Sequence, residues 1–471
     1  MSTFSGLNTA MTGLNAARLG LETTGNNIVN VNTPGYTRQR AELAAVGALA
    51  STGLIASRPG PGQGVSVAGI ARLADAHLDA RLNSTSGAVG HADTRAAALM
   101  DIEATLREPG ENGLSALLGK FWNAWEGVAN QPGEAAPATV LISSANDVAA
   151  RLSLMHGELS DQWSAQRTAL DTMASEVNST AARVAELNGS ITSTIAAGGN
   201  ANEMLDQRAM LVNRLAELSG ATSGENAGTF EVKLGDRVLV SGTTAKKLEV
   251  AGAENLDDNV AGNEPKLLLD GSGAKLDGGR IAGAMTLLRP SDDSGTGGDI
   301  AQMAASLNDV AQRLVDTVNP LHQGGFTADG SAGGDFFTFG GDLGTGQLSV
   351  AVSSAADLAT KTTQNAGKLD GSNASTIAGL GTASGGPDKQ WSAVVVSAGL
   401  AAQAEAQQSV TAALAHNAAA AQQQSATGVS LDEENVALLA YQHAYQGAAR
   451  VMTAVDEMLD TLINRTGVVG R

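Results

Sequence analysis

The chain has 471 residues, with 48 Asp+Glu against 29 Lys+Arg for a net charge of -19, six histidines, no cysteine and only 3% aromatic residues. Without cysteine there is no disulfide framework, thiolate metal site or catalytic thiol, and so acidic a balance lacks the clustered Lys and Arg that displace counterions from nucleic acid. Few aromatics speak against an aromatic-lined small-molecule pocket, and 57 glycines, where about 7% is usual, mean that small side chains dominate.

At roughly 100–200 residues per domain the length suggests two to four domains. No apolar run approaches the ~18–20 residues of a membrane helix, so no membrane partner is expected. The start, Met1-Ser2-Thr3-Phe4, has neither a basic nor a continuous apolar region, so no cleaved secretory signal is expected.

Phe4, Leu7, Met11, Leu14, Arg18, Leu21, Gly25 and Ile28 follow one another at alternating steps of three and four, the spacing of a coiled-coil seam. The helix should end near Asn30, because Asn26, Asn27, Asn30 and Asn32 compete for local backbone bonds and Pro34-Gly35 cannot continue it. An extended or turn segment follows. A longer seam runs through Leu152, Leu159, Trp163, Leu170, Met173, Val177, Val184, Leu187 and Ile191 and predicts one very long helix. After the Gly198-Gly199 break, residues 202–218 continue helically.

Strand signals concentrate next. Apolar and polar residues alternate over Thr229–Val240 around a Gly235-Asp236 turn, and short apolar runs at 248–250, 267–269 and 281–288 complete a predicted β insert at 222–292. Ile300, Met303, Leu307, Val310, Leu314 and Leu321 form another helical seam, 324–392 reads as loops with a few short strands, and the Ala/Gln-rich 393–425 reads as helix. The C-terminal end repeats the coiled-coil spacing at Leu431, Leu438, Tyr441, Tyr445, Ala448, Met452, Val455, Leu459 and Leu462. Ser430 is its expected N-cap, and Asp432, Glu433 and Glu434 place acids where the helix dipole favours them. At ~1.5 Å per residue the terminal helices are rods of about 36 and 48 Å. Their narrow apolar stripes bury too little to order them alone, so both ends are expected to be disordered or fraying in the free monomer and helical once other subunits cover them.

Little here carries chemistry. There is no phosphate loop, His-Glu-x-x-His or Gly-x-Ser-x-Gly, and Gly60-Pro-Gly-Gln-Gly64 reads as a turn rather than a nucleotide loop. His443 beside the C-terminal seam reads as packing or surface, and Phe121, Trp122 and Trp125 read as a helix-packing cluster. No catalytic residue, cofactor or metal site is expected; the chain reads as a non-enzyme.

Asn26-Asn-Ile-Val-Asn-Val-Asn-Thr-Pro-Gly-Tyr36, directly after a heptad helix, closely resembles the signature of the flagellar rod, hook and hook-associated axial proteins. Further segments narrow the resemblance to the hook-associated protein 1 family, on the hook side of the hook–filament junction. These are Gly62-Gln-Gly-Val-Ser-Val-Ala-Gly-Ile-Ala-Arg72 with Asp75, Phe121-Trp-Asn-Ala-Trp125 with Asn130-Gln-Pro132, Ala185-Glu-Leu-Asn188 with Asn202-Glu-Met-Leu-Asp206-Gln207-Arg208, and Gly428-Val-Ser-Leu-Asp-Glu-Glu434 with Tyr441-Gln442 and Tyr445-Gln446. Two departures concern local salt bridges: Ala209 stands where the family usually has Asp, and Ala138 or Thr139 where an Arg is expected.

The resemblance implies a mainly α, elongated, multi-domain axial protein. Residues 1–35 with 426–471 would form a coiled-coil domain lining the tube, 36–221 with 293–425 a mainly helical domain, and 222–292 an outward β-rich insert. It also implies export through the flagellar type III apparatus and placement outside the cell, where copies polymerise as a ring on the hook tip. The partners would be further copies, the hook protein, the next hook-associated junction protein and an export chaperone on the C-terminal helix. The residues expected to carry assembly are Leu7, Met11, Leu14, Leu21, Ile28, Leu438, Tyr441, Tyr445, Met452, Val455, Leu459 and Leu462. A rod or hook protein, a secreted adhesin and an extracellular hydrolase are the competing readings; the helical block at 146–218 disfavours the first, the small insert the second, and the lack of a converging acid pair or metal set the third.

Overall fold

The computed structural model describes residues 3–47, 62–292 and 294–465; Gly60 and Pro61 of the glycine-rich turn lie outside them. The protein is mainly α with small antiparallel sheets. Helix α1 (Thr3–Val29) stops where the asparagine-rich loop begins, and a hairpin of β1 (Gln39–Ala45) and β2 (Val65–Arg72) follows. Next come α2 (Ala76–Leu106), α3 (Leu114–Asn130), α4 (Ala135–Ala196) and α5 (Asn202–Ser219). At 62 residues, α4 is about 93 Å long. Its apolar seam meets the predicted one, with Leu152, Leu159, Trp163, Leu170, Val177 and Val184 fully buried.

The β-rich segment contains β3 (Thr222–Asn226), β4 (Thr229–Leu234), β5 (Arg237–Ser241) and β6 (Thr244–Ala245) in one sheet, and β7 (Leu248–Ala251), β8 (Lys266–Leu269) and β9 (Ser272–Gly273) in another. Val232, Leu234, Val240, Leu248 and Leu269 of these strands join the core built on α4. Three polar side chains of α4, spaced about three helical turns apart and so on one face, hold the segment in place. Arg167 donates to the Ala253 carbonyl at 3.0 Å, Asn178 exchanges two 2.7 Å bonds with Leu248, and Asn188 donates to the Gly242 carbonyl at 2.8 Å.

The run at 281–288, read from sequence as a strand, is instead within and just after helix α6 (Gly279–Leu287). Its neighbours explain the change: α6 packs so closely on α2 and the end of α5 that a methyl group at Gly283 would strike the His91 carbonyl of α2, and one at Gly279 the backbone of Leu218–Gly220. A short apolar run is ambiguous between strand and buried helix until such a partner is known.

Helix α7 (Asp299–Gly324) precedes β10 (Phe337–Thr338), β11 (Ser349–Val350) and α8 (Ser372–Ala378), the loop-rich part; α9 (Pro387–Thr427) and α10 (Leu431–Asp460), with a π turn to Arg465, complete the described residues. Phe121 and Trp125 of α3 stack with Phe336, Phe337 and His322, with ring centroids 5.0 Å apart for Trp125 and Phe336, so this aromatic cluster is core. Helices α2 and α9 run antiparallel, joined by Asp79–Gln423, Asp93–Ser409 and Arg95–Glu405 contacts, and Arg95 also bridges to Asp299 of α7. Among the described residues no helix is long and apolar enough to cross a membrane.

Candidate functional site

The two ends of the chain meet. Helices α1 and α10 pack antiparallel, and their contacts repeat every seven residues: Gly6 faces Val455, Gly13 faces Ala448, Gly20 faces the Tyr441 ring, and Asn27 faces Glu434. This seam is one residue away from the apolar stripe that the spacing picks out. Its α1 members are Gly6, Ala10, Gly13, Ala17, Gly20, Thr24 and Asn27, mostly buried, while Leu7, Leu14, Leu21 and Ile28 are only half-buried and Met11 is exposed. The reason is steric. A methyl at Gly20 would overlap Tyr441, so the side of α1 that can approach α10 is the one with almost no side chains.

On α10 the predicted stripe divides. Val455 is buried, Leu438, Tyr441, Ala448, Met452 and Leu459 are half-buried, and Tyr445 and Leu462 are exposed. Val436, Leu439, Val451 and Met458 are exposed as well. The terminal pair therefore uses a small-residue seam within the chain and leaves its larger apolar side chains partly uncovered.

At one end of the pair a polar cluster closes the seam. Asn27, 1% exposed, donates to the Gln39 carbonyl at 2.8 Å and to Glu434 Oε2 at 3.0 Å, and its Oδ1 accepts from the Tyr36 hydroxyl at 2.9 Å and the Gln39 amide at 3.0 Å. Arg38 donates from Nε to Glu434 Oε1 at 2.7 Å and from Nη1 to Glu433 Oε2 at 2.5 Å. Glu434 is thus more than a dipole-matched acid of the first turn; it is a buried partner for the signature loop. The Ser430 side chain makes no cap bond. Burial, followed by the negative charges of Asp206, Glu203 and Glu434, pushes the Tyr36 phenol up to about 12 and holds it as a neutral donor.

The other signature joins the same node. Asp206 accepts the Thr37 amide on Oδ2 at 3.0 Å and Arg72 Nε on Oδ1 at 2.5 Å, tying the loop, the hairpin and α5 together. Asn202 donates to the Ile70 carbonyl at 2.9 Å. Arg208 points away from Asp206, donating to Asn188 Oδ1 at 3.0 Å and lying 3.7 Å from the Phe230 ring centroid; it joins α5 to α4 and the β segment. Gln207 is exposed.

In the loop, Asn30 donates to the Asn26 carbonyl and accepts from Thr33, Asn32 and Pro34 are exposed, and Gly35 adopts φ 75° against Met210, where a side chain would be strained and would collide. A cleft of about 520 Å³ opens here, lined by the loop, α5 and the end of α9, with Ala209 among its walls. The partners Arg38, Gln39, Arg72 and Glu434 escaped the spacing analysis. Glu434 was visible as an acid three residues into a helix, but its pairing across the fold was not.

The chain resembles known proteins throughout its length. Residues 99–337 match the model of the flagellar hook-associated protein FlgK helical domain, residues 7–37 that of the flagella basal body rod protein, and residues 421–465 that of the flagellar basal body rod FlgEFG protein C-terminal region. Flagellar hook-associated protein 1 of Bacillus subtilis is 31% identical, with all of both chains covered. The protein of the same name from Salmonella typhimurium is 30% identical over 71% of this chain and 59% of that one. The structure of the flagellar hook junction protein FlgK from Burkholderia pseudomallei superposes with a TM-score of 0.62 at 15% identity, over 73% of this chain and 99% of that chain. These family matches make the chain a structural protein of the bacterial flagellum. Within that class the chain belongs to the hook-associated protein 1 family, whose place is the hook–filament junction.

Proposed function

We propose that the chain acts without catalysis, as an adaptor that polymerises at the distal end of the hook as a ring of copies and offers the next hook-associated protein a surface on which the filament starts. The observation that carries this reading is the terminal pair. A seam of glycine and alanine brings α1 and α10 together, while Leu7, Met11, Leu14, Leu21 and Ile28 on one helix and Tyr445, Met458 and Leu462 on the other keep apolar surface uncovered. Such a pair gains most of its burial only when further rods pack around it. In the assembled structure these rods line the tube, with the hook protein on one side and the next junction protein on the other.

Two further parts of the reading concern its route. By the family resemblance, the chain leaves the cell through the type III apparatus and α10 first meets an export chaperone; one apolar stripe can serve both contacts in turn, because a helix-in-groove contact and a coiled-coil seam use the same spacing. The test is electron microscopy of cells with the gene deleted, beside an assay for flagellin in the medium. Hooks without filaments and shed flagellin are expected. Absent hooks would move the protein inward to the rod or hook, and intact filaments would overturn the junction reading.

A further inference from the structure

The last helix of the bundle has an unusual outer face. Between Lys389 and Asp432 the only Asp, Glu, Lys or Arg is Glu405, and Glu405 is turned inward to Arg95 at 2.8 Å. Beyond Lys389 the outward positions of α9 are uncharged, being alanine, glutamine, serine, threonine, Asn417 and four large apolar residues: Val396 (58% exposed), Leu400 (62%), Val410 (53%) and Leu414 (65%). They fall at a seven-residue repeat, 396 to 410 and 400 to 414 through Gln403 and Gln407, so they share one stripe. In a chain with a net charge of -19, a solvent face of this length would ordinarily carry acids.

We infer that the outer face of α9 is where a second copy of this chain packs, an inference that rests on the adaptor reading above. Charge selects the occupant. A basic partner would be met by carboxylates, whereas two copies that each carry -19 repel least where the facing surfaces are free of charge. The neutral amides of Gln403, Gln407 and Asn417 suit the same purpose, since each both donates and accepts and can pair with another amide. Size agrees. From Ala393 to Ala426 the helix runs about 50 Å, and a strip ~10 Å wide covers about 500 Å² per copy, or about 1,000 Å² for the pair, the lower bound for a specific contact. The face also continues into the terminal pair, because only residues 428–430 separate α9 from α10, whose Val436 and Leu439 are exposed.

The absence of cysteine makes the test direct. Single variants Leu400→Cys and Leu414→Cys are labelled with a maleimide as purified monomer and in isolated hook–filament structures, and a photocrosslinking amino acid is placed at the same positions in cells. The expected result is fast labelling of the monomer, at least tenfold slower labelling in the assembled structure, and a crosslinked product of two copies of this chain. Equal labelling in both states, or a product with any other protein, overturns the inference. Leu400→Glu with Leu414→Glu is expected to leave the monomer's helical signal and Tm unchanged while abolishing incorporation; normal incorporation also overturns it. Immunogold labelling of the wild-type chain separates the two readings. Label away from the junction overturns the adaptor reading and this inference with it, whereas label at the junction with Leu400→Cys fully reactive overturns this inference alone.

Discussion

The terminal pair and the helical bundle are both made of long helices, yet they are held together differently. The bundle buries Trp125, Trp163, Trp391, Phe121 and Phe336 completely, and this core is closed within one chain. The terminal pair meets through Gly6, Gly13 and Gly20 against Val455, Ala448 and Tyr441, and its larger side chains stay partly in water. A helix surface without side chains allows close approach but buries little apolar area of its own. The bundle is therefore built to stand as a monomer, and the terminal pair to be completed by neighbours.

The largest effect that would sharpen this contrast is in the bundle. Trp163→Ala removes a fully buried side chain and should cost about 3–5 kcal/mol, seen as a lower urea midpoint for the isolated monomer. Gly20→Leu should do the reverse: it forces α1 away from Tyr441 at about 1–3 kcal/mol, abolishing incorporation at the junction while the bundle's unfolding midpoint stays put. If the midpoint of the bundle fell with it, the two regions would be one cooperative unit and the comparison would break.

Glu434→Gln leaves Arg38 and Asn27 without their carboxylate. Because Arg38 is partly exposed and can reach water, a loss of about 1–2 kcal/mol is expected, read as faster amide exchange in the first turns of α10 with α4 unaffected.

Acid should act on the bundle first. His322 is buried, with its Nδ1 on the Gly334 carbonyl at 2.7 Å and its Nε2 accepting the Ala359 amide at 3.1 Å, and burial holds its pKa below the usual 6.5. The unfolded chain therefore takes up this proton first, so the contribution is present above about pH 6.5 and is lost as pH falls toward the folded value. His322→Gln should flatten the dependence of Tm on pH between 7 and 5. At the terminal node the sign is opposite in pH: the Tyr36 phenol, pushed up to about 12, contributes stability below the ordinary 10 that is lost as pH rises toward 12. Its ultraviolet titration should be displaced upward in wild type and return toward 10 in Asp206→Asn.

Much of the fold was legible from spacing alone. The α4 seam, α7, both terminal helices and the Gly235 turn follow from periodicity and turn chemistry, because in a helix or strand the side-chain period itself says which residues must be covered, while α9 was legible from its Ala/Gln-rich composition. Helix α2 was not legible. Its buried positions are Ser86, Gly87, Gly90, Ala92, Ala96 and Ala98 before the first buried leucine, Leu99, and a face of small residues carries almost no periodic signal. The same cause hid the true terminal seam, whereas α6 was hidden by the ambiguity of a short apolar run.

What the amino-acid sequence determined by itself is the helical character of both ends, the heptad repeat and the two signatures at 26–36 and 206–208. The choice between two neighbouring stripes of α1, each with the same alternation of three and four, belonged to the tertiary structure. That choice depends on what lies opposite: Tyr441 fills the space over Gly20, and Glu434, held by Arg38 just ahead of the hairpin and far from it along the chain, receives Asn27. Periodicity names the candidate faces of a helix, but only the partner surface says which one it can approach closely and which it leaves for another molecule.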